Sequence, residues 1–353
     1  MEIQREFIKN QNSQPTLKMP VFNNAAVVAE GWYFVMPARS LKPKKIHSFS
    51  IGYQDLVVWR TETGKLGIVD AYCPHMGTHL GKGTVKKETI QCFFHHWKFD
   101  SEGHCQDIPA DPTFCRTVKT KSYAVMEQFE SIWVFPKSQA PHPLAHYPEL
   151  EGLPLYVTFG KTYQRRCHHH VTMINGIDPQ HLKTVHQINI EMSVDIKSTA
   201  RQMQISLAGA IGNKTWASRI TQFFIGPLYS YSMLYDHASN GFLTLVKNSF
   251  WFGGKKKIPS MYMIFAYRPL AGGHSQVQPI FLTPKRTGVF GILTSRILIW
   301  ITQMGFRALQ GEDGEVYENM RFNPNKLLPM DRPVGQYIQY VNKIPISLWG
   351  KPS

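Results

Sequence analysis

From Trp32 to about Pro136 the apolar positions fall in short runs of strand length, separated by turn residues. Asp55-Leu-Val-Val-Trp-Arg60 meets the turn Thr63-Gly64-Lys65 and then Leu66-Gly-Ile-Val-Asp-Ala71, the signature of a hairpin. Thr89–Phe94 and Ser131–Phe135 are further strand-like runs, and the whole segment predicts a small all-β domain. The polar, Pro-rich stretch Lys137–Pro143 predicts a linker. Beyond it the pattern is mixed. Thr172–His186 predicts a helix, and Gln202–Leu207, Ser230–Leu234, Leu243–Val246 and Met261–Ala266 predict strands. Gly288–Leu309 and Glu312–Arg321 predict helices, so the second part is α+β. The expected division is an arm over 1–25, a first domain over 26–138 and a second over 139–353.

The most apolar window, Gly288–Gly305, is interrupted by Thr294, Ser295, Arg296, Thr302 and Gln303. A bilayer span needs roughly 20 mostly apolar residues, and a central arginine opposes one. The window therefore predicts a buried or interfacial helix, with no transmembrane span and peripheral membrane contact left open. Met1–Lys18 is polar and has no apolar signal region. A chain of 353 residues suits two domains and a sizeable core without disulfide staples. The odd cysteine count, five, argues against a disulfide framework and for a reducing, cytoplasmic setting. The formal charge of +15 is scattered apart from Lys255–Lys257 and a few pairs, and no nucleic-acid module is visible. Such a surface is either simply solvated or suited to an acidic redox partner.

Residues 73–97 contain Cys73-x-His75, then sixteen residues, then Cys92-x-x-His95. Two loops of this kind can close on one cluster, thiolates holding one iron and imidazoles the other. Gly77, Gly81 and Gly83 are expected to let the loop backbone pass close to inorganic sulfides. A Cys2His2 zinc site uses the same four residue types, but zinc fingers pair Cys with Cys and His with His, whereas each pair here is mixed. His79 and His96 fall outside the pattern and are expected to be a loop histidine and a packing neighbour of Trp97. Cys105, Cys115 and Cys167 are expected to be small buried hydrophobes.

A second constellation is Asp178-x-x-His181-x-x-x-x-His186. A spacing of five turns an ideal helix by about 500°, leaving the two imidazoles about 140° apart, so a break between them is required. Asp178, one turn before His181, can orient or bridge a histidine. A non-haem ferrous site needs two histidines and a carboxylate on one face of the metal. The stretch Gly311-Glu-Asp-Gly-Glu-Val-Tyr-Glu-Asn319 can supply the carboxylate.

The two constellations in this order resemble the catalytic subunit of the Rieske non-haem iron oxygenases, the aromatic-ring-hydroxylating dioxygenase superfamily, over about residues 27–320. The resemblance implies an N-terminal all-β Rieske 2Fe–2S domain, a helix-grip (Bet v 1-like) catalytic domain, and a head-to-tail homotrimer. It implies that Cys73, His75, Cys92 and His95 hold the cluster and that His181, His186 and Asp313 hold Fe(II), with Glu312 as the alternative to Asp313. Asp178 matches the aspartate linking the cluster of one subunit to the iron of its neighbour. The implied activity is that of an oxygenase component using O2 as co-substrate on a small organic molecule. Electrons would come through a ferredoxin or reductase, and NAD(P)H would act only indirectly, since no Gly-x-Gly-x-x-Gly fingerprint is present. Cys73–Gly81 is similar to the branch with ketosteroid hydroxylases and cholesterol 7-desaturases. Together with the apolar Gly288–Gly305 segment and the aromatic-rich Phe223–Tyr235 run, it points to a bulky apolar substrate. Two departures stand out: Cys92-Phe-Phe-His-His-Trp97 has Phe93 and His96 where the family usually has Pro and Gly, and Ile174 replaces a common Glu. The rival is a Rieske electron-transfer protein without oxygenase chemistry, which would need the first constellation alone.

Overall fold

Met203, Ile205 and Leu207 alternate with more exposed neighbours along Gln202–Ala210, a period of two that makes a strand with one buried face. In the computed structural model, which describes residues 20–187, 190–211, 228–246 and 259–352, that strand lies in an eight-stranded antiparallel sheet. Its spatial order is Leu155–Phe159, Ser275–Pro284, Met261–Pro269, Asn240–Leu245, Leu228–Asp236, Gln202–Ala210 and Ser193–Ser198. The short strand Tyr163–Arg165 also pairs with Ser275–Pro284. The expected arm as far as residue 19, Lys255–Lys257 and the start of the aromatic-rich run (223–227) lie outside the described residues. Residues 20–25 are docked, with the Val21 and Phe22 amides donating to Asn342 Oδ1 at 2.9 Å.

The N-terminal part is three small antiparallel sheets. The expected hairpin is present, with Arg60 opposite Leu66 and Gly64 at φ +98° in the turn. Trp32, Phe34, Trp133 and Phe135 from this part pack with Tyr147, Phe242, Ile264 and Ile280 in one apolar cluster, so the two parts share a core. The chain end returns to the first part, where Trp349 is buried with Tyr33 and Ile51.

Helices differ from expectation in two places. Thr172–His186 is not one helix but α1 (His169–Met173), a 3-10 turn (Asn175–Ile177) and α2 (Pro179–Thr184). Pro179 cannot continue a helix from Asp178 but suits the first helical position, so it restarts one. The two C-terminal helices are a single one, α3 (Gly288–Glu318). Gly311 alone penalises a helix by only about 1 kcal/mol, and no proline intervenes. Ser295, Leu298, Ile299 and Thr302 bury one face of α3. Ile299 meets Met263 and Phe281 of the sheet. A last helix, α4 (Arg332–Val341), places Tyr337 and Tyr340 in the main core.

Candidate metal centres and cavity

The first Cys–His loop leaves the strand Leu66–Asp70 and is tied by Cys73 N–H to Thr78 O (2.9 Å) and Gly77 N–H to Cys73 O (3.0 Å). The second is closed by Cys92 N–H to Trp97 O at 2.9 Å. Both cysteines are buried (3% and 2% exposed), whereas His75 and His95 are solvent-facing with ring centroids 4.7 Å apart. Trp97 stacks on His75 at 4.3 Å and 8°. Burial, with Cys92 adjacent, pushes the Cys73 thiol up to about 11. Two buried cysteines below two exposed imidazoles are the donor set a 2Fe–2S cluster requires.

Two of the loop glycines are required by the protein's own backbone. Gly77 takes φ +71°, a conformation costly for other residues, and a Cβ on Gly83 would strike the Gln91 carbonyl. His96 adopts φ +59°, the left-handed conformation that a glycine would take freely, so the loop keeps its turn at that departure from the family pattern. His79 Nδ1 accepts from the Gly81 amide at 3.0 Å. Cys105 and Cys115 are joined in a disulfide with a Cα–Cα distance of 5.3 Å, which corrects the expectation that both are free. Cys167 is free, and partial burial raises its thiol to about 11.

The second constellation is assembled from α2, the turn after it and α3. Asp178 caps α2, its Oδ1 accepting from the amides of Gln180 (2.9 Å) and His181 (3.2 Å). The helix ends at Thr184, two residues before His186, whose ring lies back against that of His181. This is the break that the five-residue spacing demands. The Nε2 atoms of His181 and His186 are 3.0 Å apart, and Asp313 Oδ1 lies 2.9 Å from the first and 3.0 Å from the second. An ion about 2.1 Å from each ligand would space three ligands on one octahedral face by about 3.0 Å (2.1 × √2). The triangle therefore fits a six-coordinate metal with an open opposite face. Glu312 does not share it; its Oε2 accepts from His186 Nδ1 at 2.6 Å, which leaves Nε2 free to act as a donor atom. That supporting role was missed in the sequence, where Glu312 stood only as an alternative to Asp313. Asp178 lies outside the triangle and acts on it through the backbone of His181.

These three residues border a cavity of about 340 Å³ whose walls include Met233, Leu243, Met263, Phe265 and Phe306. Tyrosine hydroxyls fix the metal-side helices to the sheet: Tyr231 donates to Gly176 O (2.9 Å) and Tyr235 to Met173 O (2.6 Å). Burial keeps both phenols protonated. A separate buried cluster, His168, His169 and His170, was not singled out from the sequence. Burial holds all three neutral, lowering His168 to about 4 and the other two well below 6.5.

Residues 31–128 match the Rieske [2Fe-2S] domain. The oxygenase component of 3-ketosteroid-9-alpha-monooxygenase from Rhodococcus rhodochrous is 32% identical over 154 residues, 43% of this chain and 39% of the relative. A cholesterol 7-desaturase from Ciona intestinalis is 34% identical over 175 residues, 47% of this chain and 35% of the relative. The matched stretch is thus well under half the length of either relative. In fold the chain resembles dicamba monooxygenase bound to dicamba (TM-score 0.65, 17% identity, covering 91% of this chain and 97% of that one). It likewise resembles the reduced complex between oxygenase and ferredoxin in carbazole 1,9a-dioxygenase (TM-score 0.65, 16% identity, 90% of each chain).

Proposed function

We propose that this chain, a member of the Rieske oxygenases, is the oxygenase component of a multi-component system that oxidises a bulky apolar organic substrate. A cluster-bearing unit over 26–138 and a catalytic unit over 139–353 divide the work. Cys73, Cys92, His75 and His95 would hold the 2Fe–2S cluster, and His181, His186 and Asp313 a mononuclear Fe(II). When bound, these groups supply single electrons and the activation of O2.

The chain's own residues do the rest. The apolar walls exclude water and orient an apolar substrate at the His181–His186–Asp313 corner. Glu312 holds the His186 tautomer. Asp178, fixed by its two amide contacts, would face the exposed His75 and His95 of a neighbouring subunit in a homotrimer. Electrons would come from a separate ferredoxin or reductase, as the carbazole enzyme's ferredoxin complex suggests, with NAD(P)H consumed there. The net charge of +15 suits an acidic donor, so binding should weaken as salt rises. The expected cytoplasmic setting is a reducing one, and the Cys105–Cys115 disulfide counts against it.

The carrying observation is the three-atom triangle opening onto an apolar cavity. A protein that only transfers electrons needs neither. The test is iron and acid-labile sulfide per chain, with electron paramagnetic resonance after reduction. About three irons and two sulfides are expected, falling to two irons in His181→Ala with the cluster signal unchanged. Two irons in both proteins, even after ferrous reconstitution, would favour the electron-transfer reading.

A further inference from the structure

A surface helix that packs one face on a sheet is expected to be polar on the other. The first half of α3 is not. Its sheet-facing residues Ser295, Leu298, Ile299 and Thr302 are buried. About 180° around the helix, Val289, Leu293, Ile297, Trp300 and Met304 recur at spacings of three and four. They are 82%, 52%, 46%, 61% and 46% exposed, and Phe290 beside them is 85% exposed. The charge around this stripe has one sign. Lys285, Arg296 and Arg307 are solvent-facing, and there is no Asp or Glu from Thr283 to Gly311.

The helix is long and apolar enough to cross a bilayer. Spanning would nevertheless strip Ile299 from Met263 and Phe281 and place Arg296 in hydrocarbon. Lying flat satisfies both faces at once, the inner on the sheet and the outer in lipid. The same helix walls the cavity, and two of its residues belong to both surfaces: Ile301 and Leu309 line the cavity while 46% and 40% exposed.

We propose that the outer face of α3 docks on an anionic lipid bilayer, with the apolar stripe in the headgroup–acyl boundary and Lys285, Arg296 and Arg307 against lipid phosphates. On the oxygenase reading, this sets the cavity beside the membrane, so an apolar substrate can pass from lipid past Ile301 and Leu309 without crossing water.

The test is co-sedimentation of the intact, cofactor-loaded protein with vesicles of phosphatidylcholine, with or without phosphatidylserine. The protein should pellet with the mixed vesicles and less with phosphatidylcholine alone. Phe290→Asp/Trp300→Asp should lower partitioning by roughly tenfold or more. Lys285→Gln/Arg296→Gln should remove only the preference for the anionic lipid. Since two acidic substitutions can impair folding, Trp300→Phe gives an independent readout. Brominated lipid should quench part of the wild-type tryptophan fluorescence and lose that part in Trp300→Phe. Wild-type protein that stays in the supernatant, or a double variant that binds as well as wild type, overturns the proposal. So does self-association through this face without vesicle binding. Vesicle binding without oxidation of any substrate would leave the docking standing and count against the oxygenase reading.

Discussion

The contact between His186 Nδ1 and Glu312 Oε2 puts Glu312, the alternative to Asp313 as third ligand, behind the histidine and not at the triangle. At 2.6 Å it is a charge-assisted hydrogen bond, and with the proton held at Nδ1 the imidazole presents Nε2 to the Asp313 side. Removing such a partner generally lowers metal affinity by about 10–100-fold. The Glu312 side chain is 54% exposed, so water can replace part of what it provides, and the lower end applies. Glu312→Gln should therefore weaken ferrous binding by about tenfold, or about 1.4 kcal/mol, with the cluster untouched. Asp313→Asn removes a corner of the triangle and should lose the ion altogether. Ferrous titration of protein stripped of its mononuclear metal, followed by iron analysis, measures both. If Glu312→Gln abolishes binding while Asp313→Asn spares it, the assignment is reversed. If Glu312→Gln changes affinity less than twofold, the contact is only a surface pairing.

Asp178→Asn should keep the α2 cap, because asparagine caps as well as aspartate, yet lower turnover by at least roughly tenfold; unchanged turnover at unchanged melting temperature would remove Asp178 from the electron path. His96→Gly should raise unfolding free energy by up to about 1 kcal/mol by relieving the left-handed backbone, and a destabilised variant in urea titration would show that the imidazole contributes more than the strain costs. His168 has a folded value of about 4 against about 6.5 unfolded. Between those values only the unfolded chain takes up the proton, so its stability contribution is intact above pH about 6.5 and declines as pH falls, by roughly 3 kcal/mol near pH 4. Urea unfolding across this range should show a shallower pH slope in His168→Asn, and an unaltered slope would refute the attribution.

The parts of the molecule legible in the sequence were those whose signal is local. The Asp55–Ala71 hairpin announces itself by alternation and a glycine turn, and the two Cys–His pairs by spacing. The His181–His186 break was legible for a geometric reason, since a regular helix cannot bring residues five apart to one point. What stayed hidden depends on partners distant in sequence. Ser275–Pro284, which touches three other strands, was not among the expected strands, and its Pro279 and Pro284 are unusual in a central strand. Pro279 is tolerated because its neighbour on one side is interrupted there: Leu155–Phe159 pairs with residues 280–284 and Tyr163–Arg165 with 275–277. No ladder bond on that side needs its missing N–H.

The same distinction explains α3. The sequence shows an apolar segment and an acidic segment on either side of Leu309 and Gln310, and chemistry that different suggests two elements. The structure makes them one rod of 31 residues, about 46 Å long. Its acidic end brings Asp313 to the histidines and Glu312 behind one of them. Its apolar end closes the cavity and continues outward as the exposed stripe. A break at Gly311 would have uncoupled these ends. With the helix continuous, the position of the Asp313 carboxylate is set by how the apolar half seats on the sheet. Displacing the Ile299 contact with Phe281, well away from any donor atom, should thus loosen the triangle itself.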